Sequence, residues 1–308
     1  MKILIIKPSS LGDVIHALRV ISVIKKEIPE VQLHWVIKKG LEGIIESSGL
    51  IDDYFLFHRG GGILKFLKLG LSLRQQNYDL VFDMQGLFRS AVLNKFANAK
   101  KSFGCADGRE LSTLFYECVG DPCRRTEKHA IEKLLPFLDC LGLTANDALH
   151  LKFYSLKKQN DRYDFLKNNN KNILIFPESR RIEKNWPHFE RLGQELNKRK
   201  GINVIIGGVN SNDRFKDFYD FRGLINLGEL PDFIGQSDIV ITNDSAPLHI
   251  ASALNIPLIA IFGPTRHENF GPYPRKGSKS KSIQSKNGSI EDITVNQVLD
   301  AVESLLNA

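Results

Sequence analysis

The sequence predicts an α/β protein built from two Rossmann-like halves. Short apolar runs alternate with amphipathic helical segments, which is the rhythm of a parallel sheet with crossover helices. The rhythm stops at a polar stretch rich in Lys and Asn, at residues 155–171, and then resumes. Each half is long enough to bury its own core, so two domains are expected, at residues 1–152 and 171–308.

In the first half, strands are predicted at residues 3–6, 33–37 and 80–82, with a helix at residues 14–26. In the second half, strands are predicted at residues 172–176, 203–206, 239–241 and 256–262, and a final amphipathic helix at residues 295–306. Within the intervening polar stretch, residues 163–166 are expected to belong to a helix. Parallel strands bring their carboxyl ends to one edge, where ligands bind, so we expect a cleft between the halves.

Composition narrows the class of protein and of partner. The 308 residues include no apolar run long enough to span a membrane, and a strand begins directly after Met1, so a cytoplasmic protein without a signal peptide is expected. The formal net charge of +7 favours an anionic partner such as a nucleotide, a phosphorylated lipid or a nucleic acid. The sequence shows no basic helix and no patch of alternating basic and aromatic residues, so a nucleic acid is not favoured as the partner.

Cysteine and metal-ligand spacing predict neither disulfides nor a metal site. Cys105, Cys118, Cys123 and Cys140 have no CxxC spacing, and a cytoplasmic chain of this size needs no disulfides, so we expect free thiols. The chain has no Asp-x-Asp, HExxH, GxGxxG, GxSxG or Walker sequence. We therefore expect no metal and no cofactor.

Residues 242–249, Thr-Asn-Asp-Ser-Ala-Pro-Leu-His, join a buried strand to a helix. Pro247 suits a first helical turn, Asp244 or Ser245 suits the cap, and His249 would follow in the first turns. Exposed amides at such a helix start favour a diphosphate. The simpler alternative is an ordinary strand-to-helix turn. A second loop, at residues 263–265, should reach the same edge of the sheet.

Two further loops carry candidate chemistry. Residues 7–13 follow the first strand and bring Asp13 to a helix start, where it is either a general base or a local cap. Residues 177–187 follow the strand at 172–176 and contain Ser179, Arg180, Arg181 and Lys184. These groups could bind phosphate or form a solvated basic loop, and Pro187 is expected in the first turn of the next helix.

Weaker signals complete the set of candidates. Gly207-Gly208 ends a strand and would let a base or ribose approach the backbone, although glycine pairs often only make a turn. In the first half, residues 83–89 with Arg59 and Arg109 supply polar and basic groups. Most surface cations are simply solvated.

Several of these segments together resemble a known family. They are Lys7-Pro8-Ser9-Ser10-Leu11-Gly12-Asp13, Lys184-Asn185-Trp186-Pro187, Asn243-Asp244-Ser245-Ala246-Pro247-Leu248-His249 and Phe262-Gly263-Pro264-Thr265. In that order they resemble the family 9 glycosyltransferases, most of all the heptosyltransferase I enzymes of lipopolysaccharide synthesis. The resemblance covers nearly the whole chain.

The resemblance implies a GT-B fold, with two Rossmann-like domains facing a central cleft, acceptor in the first and nucleotide-sugar donor in the second. It implies an inverting transfer of heptose from ADP-heptose to the Kdo-bearing inner core of lipid A, an anionic glycolipid. Peripheral contact with the inner membrane is then expected. The implied roles are Asp13 as general base, Lys184 on the donor diphosphate, Ser179, Arg180, Asp244, Ser245, Ala246 and His249 at the donor, and Ser10, Arg59 and Arg109 at the acceptor.

Two residues depart from the family pattern and leave alternatives open. Ala246 stands where Gly is frequent, and Arg180 replaces a smaller hydroxyl residue. Because Ala resists positive φ, the phosphate loop could differ. The alternatives are a family 9 transferase with another nucleotide sugar or acceptor, and a nucleotide-sugar binding protein without transfer activity.

Overall fold

The computed structural model divides the chain into two compact units, Met1–Leu151 (unit 1) and Lys152–Ala308 (unit 2). Each unit contains a six-stranded sheet in which every pair of neighbouring strands is parallel. The structure describes residues 1–120, 128–145, 149–154, 169–209, 215, 217–275 and 279–307. The expected helix at residues 163–166 lies outside this part of the chain.

Unit 1 alternates strands and helices as its sequence pattern predicts. Its strands are β1 (Lys2–Ile6), β2 (Gln32–Lys38), β3 (Asp53–Phe57), β4 (Leu80–Asp83), β5 (Lys101–Cys105) and β6 (Glu117–Val119). Its helices are α1 (Leu11–Glu27), α2 (Glu42–Ser48), α3 (Gly62–Arg74), α4 (Phe88–Ala97) and α5 (Pro136–Asp139), and a 3-10 turn spans Ser112–Leu114.

The sheet of unit 1 has the order β3-β2-β1-β4-β5-β6, so the strand order reverses between β1 and β4. Ile6 at the end of β1 pairs with Asp83 at the end of β4. The loops that follow these two strands therefore leave the sheet side by side. Such a switch point is where open parallel sheets bind ligands.

Unit 2 repeats the same alternation. Its strands are β7 (Lys171–Phe176), β8 (Ile202–Ile206), β9 (Tyr219–Asp220), β10 (Ile239–Asn243), β11 (Leu258–Phe262) and β12 (Ser280–Gln284). Its helices are α6 (Phe189–Asn197), α7 (Leu230–Gly235), α8 (Ala246–Ala253), α9 (His267–Phe270) and α10 (Val295–Leu306).

The sheet of unit 2 has the order β12-β11-β10-β7-β8-β9. Thr242 of β10 pairs with Phe176 of β7, and Asn243 pairs with Ile261 of β11. The loops after β7, β10 and β11 consequently meet at one edge, and they are the three loops with the strongest sequence signals. Apolar residues of these strands and of α6 and α10 form the core beneath them.

Most predicted elements are found, with shifted ends. The run at residues 256–262 forms a strand only from Leu258, and the Pro257 carbonyl accepts a hydrogen bond from Val240. The predicted helix at residues 295–306 coincides with α10, whose start is capped by reciprocal bonds between Thr294 and Gln297. In the described ranges no helix is long and apolar enough to cross a membrane.

Cys105, Cys118 and Cys140 are free thiols, as predicted. Burial raises the pKa of the Cys105 thiol, so it stays protonated and behaves as a small apolar core residue. Cys123 lies outside the described ranges.

Candidate functional site

The loop after β1 carries the predicted base. Asp13 is the third residue of α1, and its Oδ2 accepts hydrogen bonds from the Ser10 backbone N–H at 2.9 Å and the Ser10 hydroxyl at 2.6 Å. Asp13 therefore caps the start of α1, the local role that the sequence left open. Its carboxylate is half-buried and fixed at the carboxyl edge of the sheet. The role of general base stays a prediction.

Beneath this loop, a buried cation and a buried acid fix the turn that follows β4. The Lys7 ammonium donates to the Met84 carbonyl at 2.9 Å. Asp83 is fully buried, and its Oδ1 accepts from the backbone N–H groups of Gln85 at 3.0 Å and Gly86 at 3.1 Å. The turn after β4 is thus held by side chains from both strands of the switch point.

Gly86 connects this turn to the acceptor candidate Arg109. Gly86 has a φ of 65°, and its carbonyl accepts from the Arg109 backbone N–H at 2.8 Å. A Cβ on Gly86 would stand 3.3 Å from the Cα of Gly108. Both the positive φ and this close approach favour glycine. Arg59 is exposed in the loop between β3 and α3, at the same edge of the sheet.

Burial raises the pKa of Asp83 to about 6, against hydrogen bonds and the nearby Lys7 charge that lower it. The folded state therefore binds a proton more tightly than the unfolded chain, and the free energy of unfolding should fall as pH rises from about 4 to about 6. A rise of about two units in the pKa of Asp83 corresponds to a loss of roughly 3 kcal/mol in the free energy of unfolding.

Asp83→Asn should remove this dependence, because an amide oxygen can still accept from Gln85 and Gly86. Chemical unfolding of both proteins at several pH values measures the effect. If the free energy of unfolding changes equally with pH in both proteins between pH about 4 and 6, the raised pKa of Asp83 is contradicted.

In unit 2, Lys184 and Asp244 form the centre of the predicted phosphate site. The Lys184 ammonium lies 2.5 Å from Asp244 Oδ2, and the two side chains are only 13% and 7% exposed. The Thr265 hydroxyl donates to the same oxygen at 2.6 Å. Loops after β7, β10 and β11 thereby converge on one carboxylate, and the sequence had indicated no role for Thr265.

Asn243, the last residue of β10, fastens both ends of the loop that carries Lys184. Its Oδ1 accepts from the Trp186 backbone N–H, and its Nδ2 donates to the Pro177 carbonyl, both at 3.0 Å. Within the loop, the Ser179 backbone N–H donates to Asn185 Oδ1 at 2.6 Å. The loop is therefore held to the end of the strand by one buried amide.

Replacing Asn243 by Ala should lower the free energy of unfolding by about 2 kcal/mol, because a buried N–H and a buried carbonyl lose their partner. If the loop bearing Lys184 is the predicted phosphate site, affinity for ADP should also fall, since the loop is released. Thermal unfolding and calorimetric titration measure the two effects. Asn287→Ala is the control: it removes an exposed amide with a 3.3 Å bond to Asp292. Unchanged stability in the Asn243 variant would contradict the bridging role.

The start of α8 matches the sequence prediction in most respects. Ser245 is the cap residue, Ala246 the first helical residue and Pro247 the second, and His249 is buried one turn later. The Ser245 hydroxyl lies 3.1 Å from that of Thr242. The φ of Ala246 is not positive, so alanine in place of the glycine frequent in the family causes no backbone strain at this position.

The basic loop after β7 differs from expectation at the start of the next helix. Arg181 pairs with Glu183 at 2.6 Å and both side chains are exposed, so this pair contributes little to holding the loop. Arg180 is also exposed. Pro187 was expected in the first turn of a helix, but this is wrong: α6 begins at Phe189 with His188 as its cap. Trp186, buried beside Phe189, fixes the chain just before the helix.

Packing against neighbouring side chains explains both glycines after β8. A Cβ on Gly207 would stand 2.4 Å from the Phe176 ring. Gly208 has a φ of 154°, and a Cβ there would stand 3.1 Å from Glu178 Oε2. The close approach that the sequence suggested is therefore made by the protein's own side chains.

A buried cation beside these glycines was missed by sequence reasoning. The Arg222 side chain is 1% exposed, pairs with Asp220 at 2.8 Å and lies 4.0 Å from Glu178. Burial opposes ionisation of Asp220, but Arg222 outweighs it and lowers the pKa of Asp220. No pattern in the sequence had indicated that this arginine is buried. Within the part of the chain that the structure covers, no His, Cys, Asp and Glu cluster could hold a metal ion.

Comparisons with known proteins show to which family this chain belongs. The model of glycosyltransferase family 9 (heptosyltransferase) matches residues 66–296. The chain is 29% identical to lipopolysaccharide heptosyltransferase 1 of Campylobacter coli, over 86% of this chain and 84% of that protein.

Two solved structures share the fold. A family 9 glycosyl transferase of Veillonella parvula has a TM-score of 0.82 at 21% identity, covering 99% of this chain and 97% of the other. The heptosyltransferase WaaC of Escherichia coli, solved with ADP, has a TM-score of 0.78 at 22% identity, covering 99% and 100%. These structures share the GT-B fold. The chain, whose family match spans most of its length, belongs to glycosyltransferase family 9 and is a glycosyltransferase of the heptosyltransferase type.

Proposed function

We propose that this protein transfers heptose from ADP-heptose to the Kdo-bearing inner core of lipid A, with inversion at the anomeric carbon. Heptosyl transfer in the synthesis of the lipopolysaccharide core is supported by the family and by the curated relatives. Residues 1–152 are proposed to bind the acceptor and residues 171–308 the donor. ADP-heptose is the proposed donor, and two related WaaC structures, one with ADP and one with ADP-2-deoxy-2-fluoro heptose, support this choice.

The observation that carries the proposal is the Lys184 ammonium, held by Asp244 immediately before the start of α8. The cation and the backbone N–H groups of Ser245 and Ala246 at the helix start together offer charge and hydrogen bonds to a diphosphate. Ser179 and Arg180 from the loop after β7, with Ser245, Ala246 and His249 from α8, complete the proposed donor site.

Asp13 is the proposed general base. Its carboxylate takes the proton of the acceptor hydroxyl as that oxygen forms a bond to the anomeric carbon of heptose. The bond from this carbon to the phosphate oxygen breaks, and its electron pair leaves with ADP. Lys184 stabilises the negative charge that develops on the departing phosphate.

The acceptor is proposed to contact Ser10, Arg59 and Arg109. Ser10 is next to the base, and the two arginines are exposed at the carboxyl edge of the sheet of unit 1. Guanidinium groups suit the carboxylates of Kdo and the phosphates of lipid A. The net charge of +7 agrees with an anionic acceptor.

The test is transfer from ADP-heptose to Kdo-lipid A in the presence of EDTA, measured as ADP release and by mass spectrometry of the lipid. We expect a product heavier by one heptose and an inverted anomeric configuration. Transfer from a different nucleotide sugar would replace the proposed donor. Binding of ADP-heptose without turnover on any acceptor would favour a binding protein, and loss of activity in EDTA would contradict the metal-free mechanism.

A further inference from the structure

Helix α3 exposes a stripe of large aliphatic side chains. Ile63 is 67% exposed, Leu64 79%, Leu67 39% and Leu71 57%. Spacings of three and four residues place these side chains on one face of the helix. The stripe continues through most of the length of α3, which is about 20 Å.

Packing of unit 1 does not account for this face. A different side of α3 supplies Leu69 and Leu73 to the core, together with the partly buried Phe66. The helix therefore has two apolar faces, and only the inner one is covered by the sheet and its neighbours. Contiguous exposed apolar surface of this kind usually marks a site of interaction.

The charge around the stripe has a single sign. No acidic residue occurs between Asp53 and Asp79, whereas Arg59, Lys65, Lys68 and Arg74 lie in that interval. Lys65 and Lys68 are exposed on α3 itself, beside the aliphatic stripe. A helix with aliphatic residues on one side and lysines beside them is typical of segments that lie in the surface of an anionic bilayer.

The position of α3 places this face where an acceptor lipid would arrive. The helix begins after β3, so Ile63 and Leu64 lie near the carboxyl edge of the sheet, as does Arg59. Phe88 at the start of α4, and Leu111 and Leu114 after β5, are exposed at the same edge.

We propose that the outer face of α3 docks this protein on an anionic lipid bilayer. Ile63, Leu64, Leu67 and Leu71 enter the boundary between headgroups and acyl chains, and Lys65 and Lys68 bind lipid phosphates. The helix is too short to span a membrane and lies along its surface. The use of this surface to collect a lipid acceptor rests on the proposed function, but the docking itself rests on α3.

Co-sedimentation with vesicles tests the proposal. The full chain should bind vesicles of equal parts phosphatidylcholine and phosphatidylglycerol at low salt, and bind phosphatidylcholine alone only weakly. The triple variant Ile63→Ser, Leu64→Ser, Leu71→Ser should bind about tenfold more weakly or worse. Lys65→Glu with Lys68→Glu should lose at least about fivefold per lysine.

The matched control replaces three exposed apolar residues of unit 2: Val209→Ser, Tyr219→Ser and Leu224→Ser, at 81%, 47% and 57% exposure. This variant should bind vesicles as the unchanged protein does. Failure of the wild-type protein to bind anionic vesicles would overturn the proposal. Binding of the triple α3 variant as tight as that of the wild type would also overturn it. Disruption of a dimer by the triple variant with vesicle binding unchanged would assign the face to self-association instead.

A second arm separates this proposal from the proposed reaction. The triple α3 variant should transfer heptose at the wild-type rate to an acceptor whose acyl chains have been removed, while transfer to vesicle-borne acceptor falls. Absence of transfer by the wild type to either acceptor would count against the reaction and leave the vesicle result standing. Equal transfer by both proteins to the vesicle-borne acceptor would overturn the docking role.

Discussion

Asp13→Asn is expected to lower kcat by about a thousandfold, because general bases contribute 10²- to 10⁴-fold and no carboxylate then receives the acceptor proton. The amide oxygen can still accept from the Ser10 N–H and hydroxyl, which now bond to Asp13 at 2.9 and 2.6 Å. The start of α1 should therefore remain capped and the protein folded.

Three measurements separate loss of the base from loss of structure: kcat, the melting temperature, and the affinity for ADP-heptose by calorimetry. The melting temperature and the donor affinity should stay close to wild type, because the proposed donor residues belong to unit 2. Ser10→Ala measures separately what the 2.6 Å bond and the proposed acceptor contact of Ser10 contribute, since it keeps the carboxylate. A kcat for Asp13→Asn within about tenfold of the wild type would exclude Asp13 as the base.

Lys184→Met is expected to weaken ADP-heptose binding by about a hundredfold or more. The variant loses a charge-assisted hydrogen bond to the diphosphate and leaves the Asp244 carboxylate, 7% exposed, as an unpaired negative charge in the site. Its free energy of unfolding should also fall by about 3 kcal/mol, because a buried charge loses its partner.

A second variant distinguishes these two effects. Lys184→Met combined with Asp244→Asn removes the unpaired charge, so stability should largely recover while donor affinity stays low. Lys198→Met is the control for loss of an ion pair, because Lys198 and Glu195 are 69% and 39% exposed and should contribute little. Recovery of donor affinity together with stability in the double variant would show that Lys184 acts only through folding.

The fold followed from the sequence because its causes are local. Continuous β-branched runs such as residues 239–241 favour buried strands, and their alternation with helices favours parallel sheets. The strand ends were less certain. Pro187 was placed in a helix from its preference for first turns, whereas burial of Trp186 delays the start of α6 to Phe189.

Parts of the candidate site depend on contacts between distant residues, and these were not predictable from spacing. The bond from Thr265 to Asp244 joins loops 21 residues apart, and the bond from Asn243 to Pro177 joins residues 66 apart. Arg222 gave no signal because surface cations are common, and only the folded chain reveals that it is buried. The position of Asp13 at a helix start, by contrast, was predicted from the sequence and is confirmed.

The attachment of both loop ends to Asn243 makes the exposed residues 180–183 an exchangeable segment on a constant frame. Because one strand residue holds Pro177 and Trp186, changes at these exposed positions need not disturb the sheet below. With Arg180 at the donor, as proposed, variation in nucleotide-sugar preference can accumulate at this position at low cost to folding. A library randomised at residues 180–183, with Lys184 kept, is the natural starting material for altering which sugar this enzyme donates.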